Sequence, residues 1–163
     1  MSNWTTRTLT TLLFGSVIAV LSGGSGRAVP QTGAASAKPE PAVDYFDAAA
    51  VKKAFSSGKP LIAGGDGRNF KVMGLRRRGP GEVEVHDKDT DIFYVLEGQA
   101  TLVTAGTLTG GKHIAPDEIR GGTLAGGETR HLGQGDVIVI PKGMPHWFKE
   151  VPESIEYFVV KVR

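Results

Sequence analysis

The feature of this sequence that most limits its fold is a succession of short β-like runs between residues 61 and 163. Runs such as NFKVMGL, EVEVH, DIFYVLEG and DVIVIP alternate apolar with polar side chains, and glycine, proline or aspartate separates them. Alternation with a period of two is typical of strands that bury one face. Regularly spaced runs with turn residues between them predict an antiparallel sandwich or barrel, and they do not support a helical bundle or a nucleotide-binding α/β fold.

One segment before these runs has a helical pattern. In the stretch DYFDAAAVKKAFSSGKP, Asp44 or Asp47 is a candidate N-cap, several alanines follow, and Gly58 marks the end. The sequence therefore predicts one short helix at about residues 47–57, followed by a barrel at about residues 61–163.

The first 28 residues have the three-part pattern of a secretory signal. A weakly basic start, MSNWTTR, precedes the mostly apolar run LTTLLFGSVIAVLS, and small residues lead to a candidate cleavage site after Ala28. The apolar run is shorter than the roughly 20 residues that span a bilayer, although an uncleaved anchor helix is the alternative. We therefore expect a secreted or periplasmic protein with no membrane association after cleavage of residues 1–28.

The segment after the signal is rich in alanine, proline, serine and glycine, so it can bury little apolar surface. We interpret residues 29–43 as a disordered tether and residues 44–163 as a single domain. The chain has no cysteine, so its core must be stable without a disulfide. Removal of residues 1–28 would leave 17 of the 19 basic side chains against 17 acidic ones, and this balance argues against nucleic acid as a partner.

The glycine-rich stretch TLTGGKHIAPDEIRGGTLAGGE, residues 107–128, separates two of the strand-like runs. Its composition predicts a long loop. Loops of this length inside compact domains are uncommon and often act as lids or binding segments, while disordered padding is the alternative.

Acidic side chains cluster in the stretch HDKDTDIFYVLEG. Asp87, Asp89 and Asp91 have the spacing that begins a calcium loop, but Ile92 stands where that loop needs glycine and Gly98 where it needs a bidentate glutamate. A turn between two strands explains Asp87 and Asp89 better, because aspartate side chains bond to nearby backbone groups in such turns.

The strand before this turn has an unusual polar face. Glu82, Glu84 and His86 share that face, and Val83 and Val85 form the opposite one. If the valines are buried, the polar face must meet solvent or a polar cavity.

Two stretches resemble the two motifs of the cupin superfamily. In the first, Gly98 takes the closing glycine, Asp91 the glutamate position, His86 the second histidine, and Glu84 the position of the first histidine. In the second, GDVIVIPKGMPHWFKE, four positions match without a gap and only the last differs, with glutamate for asparagine. The matching positions are Gly135, Pro141, Gly143 and His146.

The resemblance covers about residues 61–163 and implies an all-β, antiparallel double-stranded β-helix, that is, a jelly-roll or cupin barrel with one short N-terminal helix. It also implies one divalent metal ion, Mn, Fe or Zn, held by His86, Asp91 and His146, with Glu84 as a fourth ligand or as a base. A degenerate site filled by water is the alternative.

The resemblance implies a small organic molecule as substrate or ligand, but one such barrel hosts many chemistries. A divalent-metal-dependent oxygenase, or an isomerase or lyase, is one hypothesis. A ligand-binding module without turnover and a structural barrel are the others. Cupins commonly pair, and we expect residues 159–163 to form an edge strand that can join a neighbour's sheet in a homodimer.

Three further groups are interpreted as surface features. His113 and His131 are expected to be solvent-exposed. Strand alternation places Arg77 opposite Arg76 and Arg78. For these arginines a solvated strand end is favoured over a clamp for an anionic substrate.

Overall fold

The computed structural model describes residues 42–163, and Val43–Arg163 form one compact unit. The predicted signal, residues 1–28, and nearly all of the predicted tether lie outside the described residues. The described part contains one α-helix, α1 (Ala48–Ser57), followed by twelve β-strands. The strands are β1 (Phe70–Arg77), β2 (Glu84–His86), β3 (Thr90–Gly98), β4 (Ala100–Thr104), β5 (Thr107–Thr109), β6 (Lys112–Ala115), β7 (Glu118–Arg120), β8 (Thr123–Ala125), β9 (Glu128–Leu132), β10 (Val137–Ile140), β11 (His146–Glu150) and β12 (Ile155–Val162).

The strands form two larger sheets and one small one. The first sheet has the order β1-β12-β3-β10, the second β6-β7-β2-β11-β4-β9, and β5 pairs with β8. All strand pairs are antiparallel, so the predicted antiparallel cupin barrel is confirmed. Inward-facing apolar residues from both larger sheets make the core. The buried cluster consists of Phe93, Val95, Ala100, Leu102, Leu132, Ile140, Phe148, Val151, Ile155, Tyr157 and Val159.

Helix α1 begins and ends where the sequence indicates. The Asp47 side chain accepts a hydrogen bond of 2.8 Å from the Ala50 amide, and Gly58 adopts a left-handed conformation at the C-cap. The helix packs on the first sheet through the Phe55 ring, 5.2 Å from the Phe158 ring. A Cβ at Gly74 would lie 2.9 Å from Phe55, so glycine permits this approach. Among residues 42–163, no helix has the length and hydropathy needed to cross a bilayer.

The predicted loop at residues 107–128 is instead built from short strands, so that prediction is wrong. β6 pairs with β7, β5 with β8, and β7 also pairs with β2 in the second sheet. Glycines with positive φ, such as Gly110, Gly121 and Gly122, provide the tight turns. Each strand has only three or four residues, too few for alternation to be recognised in the sequence.

The expected edge strand at residues 159–163 is also wrong. Strand β12 lies between β1 and β3, and both neighbours bond to it along its length. Its backbone groups are therefore already paired, and the outer strands of this sheet are β1 and β10. A homodimer remains a prediction, without this strand as its means of pairing.

Candidate metal centre

Two paired strands bring the predicted ligands together. β2 carries Glu84 and His86 on its inward face, while Val83 and Val85 are buried on the other side. β11 pairs with β2 so that His146 lies directly opposite Glu84. The polar face inferred from the sequence therefore lines a cavity rather than open solvent.

The three side chains present their ligand atoms to a common point. The Glu84 Oε2 atom lies 3.6 Å from Nε2 of His86 and 4.0 Å from Nε2 of His146. One ligand atom from each residue lies within 4.8 Å of the others. Atoms that bind one metal ion at about 2.1 Å are about 3 to 3.5 Å apart, so a small inward movement would complete such a site.

The protonation of the histidines also suits a cation. Nδ1 of His146 lies 3.2 Å from the Met144 carbonyl oxygen, which can only accept a hydrogen bond, so Nδ1 carries the proton and Nε2 presents a lone pair. Burial lowers the pKa of His146, which keeps the ring neutral at neutral pH. Nε2 of His86 is buried and has no hydrogen-bond partner among the described residues. Such a nitrogen beside carboxylate oxygens is a natural metal ligand.

Glu84 divides its two oxygens between two groups of side chains. Oε2 faces the imidazoles, and Oε1 lies 3.4 Å from Nη1 of Arg120 and 3.9 Å from Nη2 of Arg77. Burial by itself raises the pKa of Glu84, but the nearby His86 and Arg120 side chains outweigh it and lower the pKa to about 2. The carboxylate is therefore ionised at neutral pH, and its low pKa makes it a weak base, which favours a role as ligand over one as general base.

Asp91, the fourth predicted ligand, lies beside this cluster and is only 2% exposed. Its Oδ2 atom is 3.4 Å from Nε2 of His86 and 3.9 Å from Nε2 of His146. Both of its oxygens also accept hydrogen bonds from Nζ of Lys161, at 2.8 and 2.6 Å. The structure thus brings all four predicted residues together, and Asp91 as a metal ligand stays a prediction because Lys161 already neutralises it.

The family model for Cupin matches residues 69–163, more than half of the chain. The chain belongs to the cupin family. No curated protein matches this cupin.

Solved structures with a similar fold include a protein from Neisseria meningitidis, at 13% identity and a TM-score of 0.46, covering 69% of this chain and 96% of that one. The DMSP lyase DddQ from Ruegeria pomeroyi DSS-3 is 19% identical, with a TM-score of 0.46 and coverage of 64% and 45%. The polyketide cyclase RemF from Streptomyces resistomycificus is 22% identical, with a TM-score of 0.43 and coverage of 64% and 62%.

The candidate metal centre of this cupin opens into a cavity of about 360 Å³. Part of its wall is apolar, and Phe93 and Phe148 stack there with ring centres 5.8 Å apart. A cavity of this size with apolar walls and a few convergent polar groups suits a small organic molecule. The charged and polar lining residues are Lys71, Arg77, Glu84, His86, Asp91, Glu118, Arg120, His146, Tyr157 and Lys161.

Several cavity residues were missed by the sequence analysis. Lys161 had a usable signal, because alternation along β12 places it on the same face as Val159 and Tyr157. Arg120 and Glu118 had none, because they belong to the segment expected to be a loop. All of them reach the cavity through strand pairing.

The prediction for the arginines was half correct. Arg76 and Arg78 are exposed and Arg77 points the opposite way, as alternation indicates. Arg77 is not a solvated strand end, however, because its guanidinium carbon lies 4.9 Å from the centre of the Phe148 ring and its Nε is buried.

The remaining histidines lie outside the cavity. His113 and His131 are exposed, as expected. Nδ1 of His131 lies 3.3 Å from the Thr101 hydroxyl, which donates to Glu150 at 3.2 Å. Glu150 is the residue that departs from the second motif, and this hydrogen bond gives it a partner away from the metal centre. A register shift in β11 lies between Phe148 and Glu150.

Proposed function

We propose that this cupin binds one divalent metal ion through Glu84, His86 and His146, with Asp91 beside it, and that the cavity holds a small organic molecule next to the ion. The observation that carries this proposal is the convergence of Oε2 of Glu84 with two imidazole nitrogens, one of them buried with no hydrogen-bond partner in the described part of the chain.

The ligand set narrows the choice of metal. Two imidazole nitrogens and a carboxylate oxygen suit Fe(II), Mn or Zn, and an ionised glutamate in place of a further nitrogen disfavours copper. Such an ion supplies a Lewis acid or, for iron and manganese, a redox centre. The cavity walls would orient the organic molecule.

A reconstitution experiment on the full chain tests the metal site. The protein is stripped with a chelator, reloaded separately with Mn, Zn or anaerobic Fe(II), and analysed for bound metal by mass spectrometry. We expect one ion per chain in the wild type and large losses in His86→Ala and His146→Ala. His131→Ala, which removes an exposed imidazole, is the matched control. A folded wild type without a stoichiometric ion would refute the proposal.

We propose catalysis as an oxygenase, or as an isomerase or lyase, for the loaded protein. Binding without turnover is a second candidate. The Lys161–Asp91 ion pair favours it, because Lys161 bonds to both oxygens of the carboxylate that the resemblance assigns to the metal. A screen of small oxygen-bearing compounds separates the two. Turnover that disappears in His146→Ala supports an enzyme, and saturable binding without product supports a binding module.

We also propose that the protein is exported and that residues 1–28 are removed. The support is the basic start, apolar run and small residues before the candidate cleavage site after Ala28. Expression of the full chain in a Gram-negative host should give a periplasmic product whose mass corresponds to an N-terminus at Val29. A full-length product held in the membrane fraction would favour the anchor-helix alternative.

A further inference from the structure

We propose that Arg77 and Arg120 form a carboxylate-binding subsite beside the metal centre, so that the molecule held in the cavity is an organic anion. This inference rests on the proposed metal site. It adds the chemical class of the ligand and names the residues that recognise it.

The two arginines converge although they come from distant segments. Arg77 stands at the end of β1, and Arg120 reaches the cavity from β7 because β7 pairs with β2. Both guanidinium groups lie within 4 Å of the same atom, with Nη1 of Arg120 at 3.4 Å and Nη2 of Arg77 at 3.9 Å from Oε1 of Glu84. Paired guanidinium groups match the planar, bidentate shape of a carboxylate.

Both guanidinium groups are held in place without being fully used. Arg77 lies over the Phe148 ring, and its buried Nε has no hydrogen-bond partner among residues 42–163. Arg120 donates from Nε to Glu118 at 2.6 Å, and its side chain is 38% exposed and lines the cavity. A positioned cation with remaining hydrogen-bond capacity is what recognition of a carboxylate requires.

The charge balance of the cavity also favours an anion. Four cationic and three anionic side chains line it. The cationic ones are Lys71, Arg77, Arg120 and Lys161, and the anionic ones are Glu84, Asp91 and Glu118. Counting only the lysine, arginine, aspartate and glutamate side chains, the excess is one positive charge, and a bound divalent ion would raise it to three. That ion would also share the negative charge of Glu84, the carboxylate that now faces both arginines. A ligand carboxylate would offset part of this excess, while Phe93, Phe148 and Tyr157 would contact an apolar body.

A purely supporting role for the arginines makes a different prediction. If they only hold Glu84 in position, their removal should weaken metal binding. If they form an anion subsite, their removal should leave metal binding equal or tighter, because two repelling positive charges have gone, and should weaken the binding of a carboxylate.

The test uses calorimetric titration of the full, zinc-loaded chain. Hydrocinnamate and hydrocinnamyl alcohol share one apolar body, and acetate adds a carboxylate without that body. We expect the wild type to bind hydrocinnamate at least about tenfold more tightly than the alcohol, and Arg77→Gln and Arg120→Gln each to lose about tenfold in hydrocinnamate affinity. Arg76→Gln is the matched control, because Arg76 is exposed on the other face of β1 and pairs with Glu156. Linkage requires that the carboxylate tighten zinc binding by the same factor by which zinc tightens carboxylate binding, which titration of the zinc-free chain measures.

The possible failures are distinguishable because zinc stoichiometry is measured first. A folded chain that binds none of zinc, Mn and Fe(II) refutes the proposed function and this inference with it, and a chain that binds only Mn or Fe(II) is titrated in that loaded form. A zinc-loaded chain that binds no carboxylate, that binds acid and alcohol equally, or whose two arginine variants bind hydrocinnamate like Arg76→Gln, refutes the anion subsite alone. The last result would mean that zinc itself holds the carboxylate.

Discussion

The interior of this cupin has an apolar end and a polar end, and the same strands build both. β3 passes from Asp91 to Phe93 and Val95, β11 passes from His146 to Phe148, and β12 passes back from Tyr157 to Lys161. Every inward position follows the same alternation, so the ends differ only in residue type. One barrel therefore carries a packed core and a charged cavity in series along its strands.

The comparison teaches that burial serves different purposes at the two ends. At the apolar end, Leu102 and Ile155 are completely buried among other apolar side chains. At the polar end, His86 is nearly as buried but its Nε2 has no partner among the described residues. Buried polar groups cost free energy unless they are satisfied, so we expect the polar end to contribute less to stability than the apolar end.

The largest effect is expected from a cavity at the apolar end. Leu102→Ala should lower the free energy of unfolding by about 4 kcal/mol, because Leu102 is 0% exposed and its truncation leaves a cavity among apolar side chains. Urea denaturation in the presence of a chelator measures this loss.

The counterpart at the polar end is His86→Leu. It replaces a buried nitrogen, which has no partner among residues 42–163, by an apolar group, so the free energy of unfolding should change by less than about 1 kcal/mol while metal binding is lost. Equal losses for the two variants would remove the distinction between the ends.

Lys161→Met should give the next largest effect. Asp91 would keep a buried charge without its cation, which should cost about 3 kcal/mol in metal-free protein. A divalent ion would offset part of that cost, so thermal unfolding with and without zinc should show a larger stabilisation by metal than in the wild type. Lys149→Met removes an exposed lysine and is the matched control. An unchanged metal-free stability would show that the ion pair contributes little.

Substitution by alanine of two motif glycines, one at each end of the interior, should lower the free energy of unfolding by amounts that differ by about 2 kcal/mol. Gly98 and Gly143 have similar positive φ values, +77° and +75°. A Cβ at Gly98 would collide with the Ser154 carbonyl oxygen, whereas one at Gly143 would meet nothing within 4 Å. Gly143→Ala should therefore lower the free energy of unfolding by only about 1 kcal/mol, the cost of a left-handed backbone conformation for a residue with a Cβ. Equal unfolding free energies in a denaturant titration would contradict this.

The ionised Glu84 side chain should make the stability of the fold depend on pH. The pKa of Glu84 falls from 4.5 to about 2 in the folded protein, so its carboxylate stabilises the fold above its ordinary pKa and this contribution is lost as pH falls toward 2. Lowering the pKa from 4.5 to about 2 corresponds to roughly 3 kcal/mol, and Glu84→Gln should remove this contribution. Urea titrations of metal-free protein between about pH 5 and pH 2 should give a shallower decline for Glu84→Gln than for Glu153→Gln. Parallel declines would contradict the assignment.

Much of the fold and part of the site were predictable from the sequence. Helix α1 followed from Asp47 as its cap and Gly58 as its end, both of which act within a few residues. Glu84, His86 and His146 were identified because two motifs resemble those of cupins, and the motifs carry their strand pairing with them. The opposite orientations of Arg76 and Arg77 followed from alternation alone.

The errors arose where partners are distant in the chain. Arg120 could not be predicted as a cavity residue because its strand is only three residues long and reaches the cavity by pairing with β2. The bond between Lys161 and Asp91 depends on the register of β12 against β3, which sets these two residues opposite each other.

By itself, the sequence determined which side chains share a face and where the chain turns, because alternation, caps and glycine turns act over a few neighbouring residues. Only the tertiary structure decided which strands lie side by side, because that choice comes from hydrogen bonds and burial between segments far apart. For this reason the histidines were found from the motifs, whereas the place of Lys161, Arg77 and Arg120 in the cavity wall follows only from the pairing of distant strands.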